Sequence, residues 1–176
     1  MNREEIRDRV LRSTSREVLC ELPTGLGKSK IALDFMNSRL NFFKKKPSIL
    51  VVVPRLVLID NWKEEFQKWN YNSFLNCTEF VTYVSFPKKS GLYDLIIFDE
   101  AHHLSSRCRE NLDNYRTNYV LLLSATVGRN MKGELKEVFP NLQTHHVNAR
   151  KAIEEEILPD PKVYLLPLHL DNKNVT

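Results

Sequence analysis

Two short segments of this sequence carry residues whose types and spacing suit phosphate chemistry. Leu22-Pro23-Thr24-Gly25-Leu26-Gly27-Lys28-Ser29 nearly fits G-x-x-x-x-G-K-[ST], with Leu22 in place of the first glycine. Gly25 and Gly27 can take backbone angles closed to other residues. Their N–H groups, with those of Lys28 and Ser29, can wrap a phosphate at a helix N-terminus. Lys28 would reach the β- and γ-phosphates of ATP, and the Ser29 hydroxyl would ligate Mg²⁺. Further on, Asp99-Glu100-Ala101-His102 follows an apolar run. Asp99 is suited to hold Mg²⁺, and Glu100 to orient and deprotonate an attacking water. Hydrolysis of a γ-phosphoryl group needs mainly positioning and charge neutralisation, which adjacent carboxylates can divide between them. The plainer alternatives are a glycine turn with an exposed lysine, and an acid pair capping a turn.

The elements around these segments decide between the two. Asn2 and Glu5 form a capping box, and Ile6, Val10 and Leu11 then recur at helical spacing. Glu17–Leu22 reads as a buried strand broken by the glycine loop. A helix with Ile31, Leu33, Phe35, Met36 and Leu40 follows from Lys28. After the basic turn Lys44-Lys45-Lys46-Pro47, Ile49–Val53 is a β-branched run suited to a strand buried on both faces. Leu56–Trp69 reads as a helix, Phe80–Val84 as a strand, and Pro87–Gly91 as a loop. Tyr93–Phe98 is the clearest strand. A polar helix is expected over Ser105–Tyr115 and a strand over Tyr119–Leu123. The expectations that follow are a helix over Met131–Phe139, a strand over Gln143–Val147 and a helix over Ala149–Ile157.

Strands alternating with helices predict an α/β fold: a mostly parallel central sheet with helices on both faces. In such sheets ligands bind beyond the carboxyl ends of the strands. The glycine loop, Asp99–His102 and Ser124–Thr126 all fall at such ends, which favours the chemical reading over the plain one. The two histidines, His102 and His103, lack the partners of a zinc site, and a polar contact from His102 towards the next strand is expected instead.

Composition sets outer bounds. The chain has 176 residues, 42% hydrophobic and 27% charged, enough for one domain with a sizeable core. A net charge of +4 permits a phosphate-rich partner without demanding one. The three cysteines are scattered and form no C-x-x-C pair, and Cys20 in an apolar run suggests packing. With no apolar leader and no apolar run of membrane-spanning length, a cytoplasmic location and no membrane partner are expected.

Pro-Thr-Gly-Leu-Gly-Lys-Ser, Asp-Glu-Ala-His and Ser-Ala-Thr, in this order, resemble the main motifs of superfamily 2 helicases. In that family the loop often begins with a residue other than glycine. The run Tyr93–His103 looks closer to its restriction-enzyme and Swi/Snf-like branches than to the DEAD-box branch. The resemblance implies a P-loop RecA-like lobe over residues 1–158, with 159–176 as an interlobe linker or the start of a second lobe. It implies ATP and Mg²⁺ as ligands, and an ATP-dependent helicase or translocase as the parent activity. Pro54-Arg55 and Thr82-Tyr83 fall where relatives touch a nucleic-acid backbone, DNA being favoured. Ser124 and Thr126, with His102, would link the ATP state to grip on the strand. An adenine-reading glutamine is missing upstream of the loop, and Arg7 stands near its expected place. The second lobe, whose arginine fingers complete the ATP site, has no counterpart after Thr126. The chain is therefore expected to be a fragment, or to stop at the interlobe hinge, and to be nearly inactive alone. Two rivals remain open: a P-loop ATPase or kinase that moves no nucleic acid, and a lobe that binds nucleotide or nucleic acid without turnover.

Overall fold

The computed structural model describes residues 2–42 and 46–160. Lys44 and Lys45 of the basic turn, and residues 161–176 of the expected linker, lie outside them.

The sheet is built from β1 (Glu17–Glu21), β2 (Ile49–Val53), β3 (Thr78–Thr82), β4 (Gly91–Phe98), β5 (Tyr115–Ser124) and β6 (Gln143–His146). Its order is β3-β2-β4-β5-β1-β6, and every pairing is parallel. The helices are α1 (Arg3–Leu11), α2 (Lys28–Leu40), α3 (Val57–Lys68), α4 (Asn72–Leu75), α5 (Ser106–Glu110), α6 (Arg129–Val138) and α7 (Ala149–Glu154). The predicted α/β architecture is thus the observed one.

Successive strand residues point to opposite faces, so each apolar run feeds two cores. Val18, Cys20, Val51, Val53, Ile97, Leu121 and Leu123 pack beneath α1, α2, α3, α4 and α7. Leu19, Leu50, Val52, Ile96, Phe98 and Leu122 pack beneath α5, α6 and the turn around Phe86. Cys20 is fully buried, and burial pushes its thiol up to about 12, which fits a packing role. The capping box at Asn2 and Glu5 forms as expected.

Four expectations shift. β3 is Thr78–Thr82 and not Phe80–Val84. The last bond to its partner β2 is Tyr83 N–H to the Val53 carbonyl at 3.1 Å, and the chain then turns, with Ser85 N–H donating to the Thr82 carbonyl at 3.0 Å. The polar helix over Ser105–Tyr115 shrinks to α5, because Cys108 is its only buried residue and no apolar stripe sustains more turns. The loop over Pro87–Gly91 gives way to a 3-10 turn at Phe86–Lys88, and β4 already begins at Gly91. β5 starts at Tyr115, four residues before the apolar run, where it pairs with the start of β4. Among the described residues no helix is long and apolar enough to cross a membrane.

Phe35 is a fully buried side chain of α2 in the first of these cores. Phe35→Ala should lower stability by about 3–5 kcal/mol. Urea unfolding of both proteins checks this, and a loss under about 1 kcal/mol would contradict the packing described.

Candidate functional site

The site lies where β4, β5 and β1, adjacent in the sheet, end together. The loop after β1 turns on glycines in the left-handed region: Gly25 has φ 89° and Gly27 φ 78°. Gly27 caps α2 without a side-chain hydrogen bond, so the first amides of the helix face outward. A methyl group built on Gly27 would meet nothing within 4 Å, so the space over the loop is open. Gly25 is closed by packing from the other side, where an added Cβ would lie 3.2 Å from Leu158. Lys28 Nζ donates to the Leu22 carbonyl at 3.3 Å, folded back on its own loop. Pro23 and Leu26 are buried, and Thr24 is exposed.

Asp99 directly follows β4, its N–H donating to the Val52 carbonyl at 2.9 Å. Its carboxylate accepts from the Trp62 indole N–H at 2.9 Å, and its carbonyl accepts from the Tyr83 hydroxyl at 2.8 Å. Burial raises its pKa, and the nearby Glu100 charge adds to this. The Trp62 hydrogen bond and the Lys28 charge act against it. Glu100 sits at φ 50°, ψ 58°, a left-handed conformation that is costly for a residue with a side chain.

His102 joins the two flanks. Its Nδ1 lies 3.1 Å from Ser124 Oγ and 3.4 Å from Glu100 Oε2. Ser124 Oγ already donates its single proton to the Thr126 carbonyl at 2.9 Å. Nδ1 of His102 must therefore carry the hydrogen and donate to Ser124. The expected polar contact from His102 to the next strand is present. Thr126 takes part through its carbonyl, and its side chain is exposed. The Ser124 carbonyl accepts from Leu22 N–H at 2.9 Å, so the turn after β5 touches the phosphate-type loop as well.

Glu21, the last residue of β1, was not singled out in the sequence. It is a carboxylate only 4% exposed. It accepts from Val127 N–H at 2.9 Å, lies 2.8 Å from His146 Nδ1 and pairs with Lys132 at 2.5 Å. Burial alone would raise its pKa, but Lys132, Val127 N–H and His146 outweigh this and lower it. A charged residue between Cys20 and Leu22, in the apolar run that leads into the glycine loop, was the signal that could have found it.

The expected nucleic-acid contacts divide. Pro54 is half-buried and Arg55 exposed at the end of β2. The Thr82 hydroxyl donates to Ser85 at 3.3 Å. The Tyr83 side chain is 7% exposed and its hydroxyl donates to the Asp99 carbonyl, so the ring faces inward rather than towards the surface. Arg7, near the place expected for an adenine-reading glutamine, has its guanidinium 2.6 Å from the buried Asp34 carboxylate, which also accepts from Tyr71 and pairs with Lys30. Lys89 pairs with Glu79 and Arg109 with Glu134, so neither basic side chain is free of an acidic partner.

A parallel sheet with a glycine loop, an acid pair and a serine turn at adjacent strand ends defines a RecA-like helicase lobe. The chain belongs to the family described as "Type III restriction enzyme, res subunit", matched over residues 3–85 and 80–129. It is 31% identical over 148 residues to the DNA 3'-5' translocase XPB2 of Sulfurisphaera tokodaii, covering 76% of this chain and 32% of that protein. The chain thus spans about a third of the length of this relative. By fold it is similar to the UvsW helicase of bacteriophage T4, with TM-score 0.65, 13% identity, and coverage of 80% of this chain and 59% of that one. It is also similar to the Sulfolobus solfataricus SWI2/SNF2 ATPase core in complex with dsDNA. There the TM-score is 0.54 and the identity 13%, over 82% of this chain and 42% of that one.

Glu21 sets a pH prediction. Its folded pKa is depressed, so the stability it contributes is present above the unfolded glutamate value of about 4.3 and is lost as pH falls through the folded value. Glu21→Gln should cost roughly 1.5–3 kcal/mol at pH 7. Urea midpoints should converge with wild type as pH drops below about 4. A gap that stays constant with pH would show that the charge contributes nothing.

Proposed function

We propose that this chain, over residues 1–158, is the first motor lobe of an ATP-dependent helicase or nucleic-acid translocase. It would take ATP as substrate and Mg²⁺ as cofactor. The observation that most supports this is the meeting of the Lys28 loop, Asp99-Glu100 and Ser124 at adjacent ends of β1, β4 and β5, joined through His102. The open space over Gly27, the outward amides of α2 and the oxygen donors Ser29 and Asp99 suit a magnesium-bound triphosphate.

In this reading Pro23, Thr24, Gly25, Leu26 and Gly27 shape the phosphate cradle, and the N–H groups of Gly27, Lys28 and Ser29 point into it. Lys28 exchanges the Leu22 carbonyl for the β- and γ-phosphate oxygens. The Ser29 hydroxyl and the Asp99 carboxylate hold Mg²⁺, which when bound neutralises charge on those oxygens. Glu100 orients the attacking water and accepts its proton. The His102–Ser124–Thr126 chain of contacts carries the state of that site to the turn after β5. Pro54, Arg55 and Thr82, at the ends of β2 and β3, touch the nucleic-acid backbone, with DNA as the favoured track. A second RecA-like lobe of the same polypeptide would supply arginine fingers, so the first lobe alone turns over very slowly.

The test is ATP hydrolysis with and without single- and double-stranded DNA and RNA. It uses this chain alone and a polypeptide joining it to a second motor lobe, each with a Glu100→Gln control. Nucleic-acid-stimulated turnover by the two-lobed protein, lowered about 100-fold or more by Glu100→Gln, is expected. Turnover indifferent to nucleic acid and to Glu100 would contradict the motor reading. Salt-sensitive nucleic-acid binding without turnover would replace it with a binding module.

A further inference from the structure

Two buried aromatic side chains from different elements place their polar hydrogens on one residue. Trp62, 3% exposed, reaches the Asp99 carboxylate from α3, and Tyr83, 7% exposed, reaches the Asp99 carbonyl from the segment after β3. A buried indole or phenol usually finds an acceptor, and Tyr115 has an ordinary one in the Phe86 carbonyl. Packing explains why Trp62 and Tyr83 are buried. It does not explain why both converge on the acid at the site.

The geometry of the connections is direct. Sheet order sets β3, β2 and β4 side by side, with Val53 opposite Thr82 and Val52 opposite Phe98. The turn at Arg55 winds straight into α3, since its carbonyl accepts from Leu58 N–H at 3.1 Å. Trp62 lies about two helical turns beyond Arg55, so a force on Arg55 moves the indole with the helix. Tyr83 directly follows Thr82, its N–H is fixed to Val53, and its ring stacks on Phe98 with centroids 6.3 Å apart. Its hydroxyl holds the carbonyl of the peptide that leads into the left-handed Glu100. One aromatic therefore sets the Asp99 side chain, and the other sets the Asp99–Glu100 peptide plane.

We infer that Trp62 and Tyr83 are positioning residues that couple nucleic-acid contact at the ends of β2 and β3 to the placement of Asp99 and Glu100. This rests on the motor reading above. It also gives Tyr83 a role that its burial allows, in place of the direct backbone contact expected from sequence.

Trp62→Phe and Tyr83→Phe keep a ring in place and remove the donor. The readout is the ratio of dissociation constants for a fluorescent, non-hydrolysable ATP analogue with Mg²⁺, measured without and with a saturating DNA oligonucleotide. Wild type should give a ratio about 5-fold or more away from unity. Each variant should still bind both ligands but bring the ratio to within about twofold of unity. A merely structural role would change melting temperature or both affinities and leave the ratio alone. Ratios equal to wild type in both variants overturn the inference. A wild-type ratio of unity with both ligands bound also overturns it, while leaving the motor reading standing. Failure to bind either ligand removes the motor reading and this inference with it. As a second measurement, Trp69→Phe leaves Trp62 as the only indole. Its N–H resonance in a ¹H–¹⁵N spectrum should move when oligonucleotide is added without nucleotide, and an unmoved resonance contradicts the coupling.

Discussion

A parallel strand buried on both faces has no room along its length for side chains that do chemistry, and the rest of this structure depends on that. Ile49–Val53 is buried at every position, and so is the run from Leu95 to Phe98. Polar groups that must meet a ligand are driven to the carboxyl ends, where the chain leaves the sheet. Because all strands are parallel, those ends lie along one edge, and groups far apart in sequence gather there without long loops. Lys28, Asp99 and Ser124 are neighbours for this reason alone.

Glu21, at the carboxyl end of β1, follows the rule but stays buried. It is a carboxylate on a buried strand, tolerated because Val127, His146 and Lys132 surround it with donors. Those partners lie in the turn after β5, on β6 and on α6. Breaking one side of such an arrangement leaves a buried charge uncompensated. Glu21 therefore ties the strand that enters the glycine loop to the turn carrying Ser124 and Thr126. The site is held from below by Glu21, from the flank by His102, and from the far strands by Trp62 and Tyr83.

What the sequence disclosed followed from how local each signal was. The glycine loop and the acid pair are short chemical patterns at the ends of apolar runs, and they stood out without any tertiary context. The α/β alternation was legible because β2 and β4 are uninterrupted apolar strands. The ends of β3 and the length of α5 were not, since one is set by pairing with β2 and the turn at Thr82–Ser85 and the other by the lack of an apolar face. α4, at Asn72–Leu75, is too short to show a period. Trp62 lies on the helix expected over Leu56–Trp69 and packs into the core, which is half of what it does. Its hydrogen bond spans 37 residues and depends on sheet order, which no local pattern encodes. Motif position marks Thr82-Tyr83 as a segment but not the direction of the Tyr83 ring, which turns inward to the Asp99 carbonyl.

The central claim is that the adjacent strand ends form a magnesium-dependent ATP site built on Lys28 and Asp99. Calorimetric titration of a non-hydrolysable ATP analogue into the chain, with and without Mg²⁺, and into Lys28→Ala, tests it most directly. The account predicts binding that strengthens when Mg²⁺ is present and is weakened at least about tenfold by loss of the lysine, a difference of ~1.4 kcal/mol. Binding of equal strength in all these cases, or none in wild type with Mg²⁺, would contradict it.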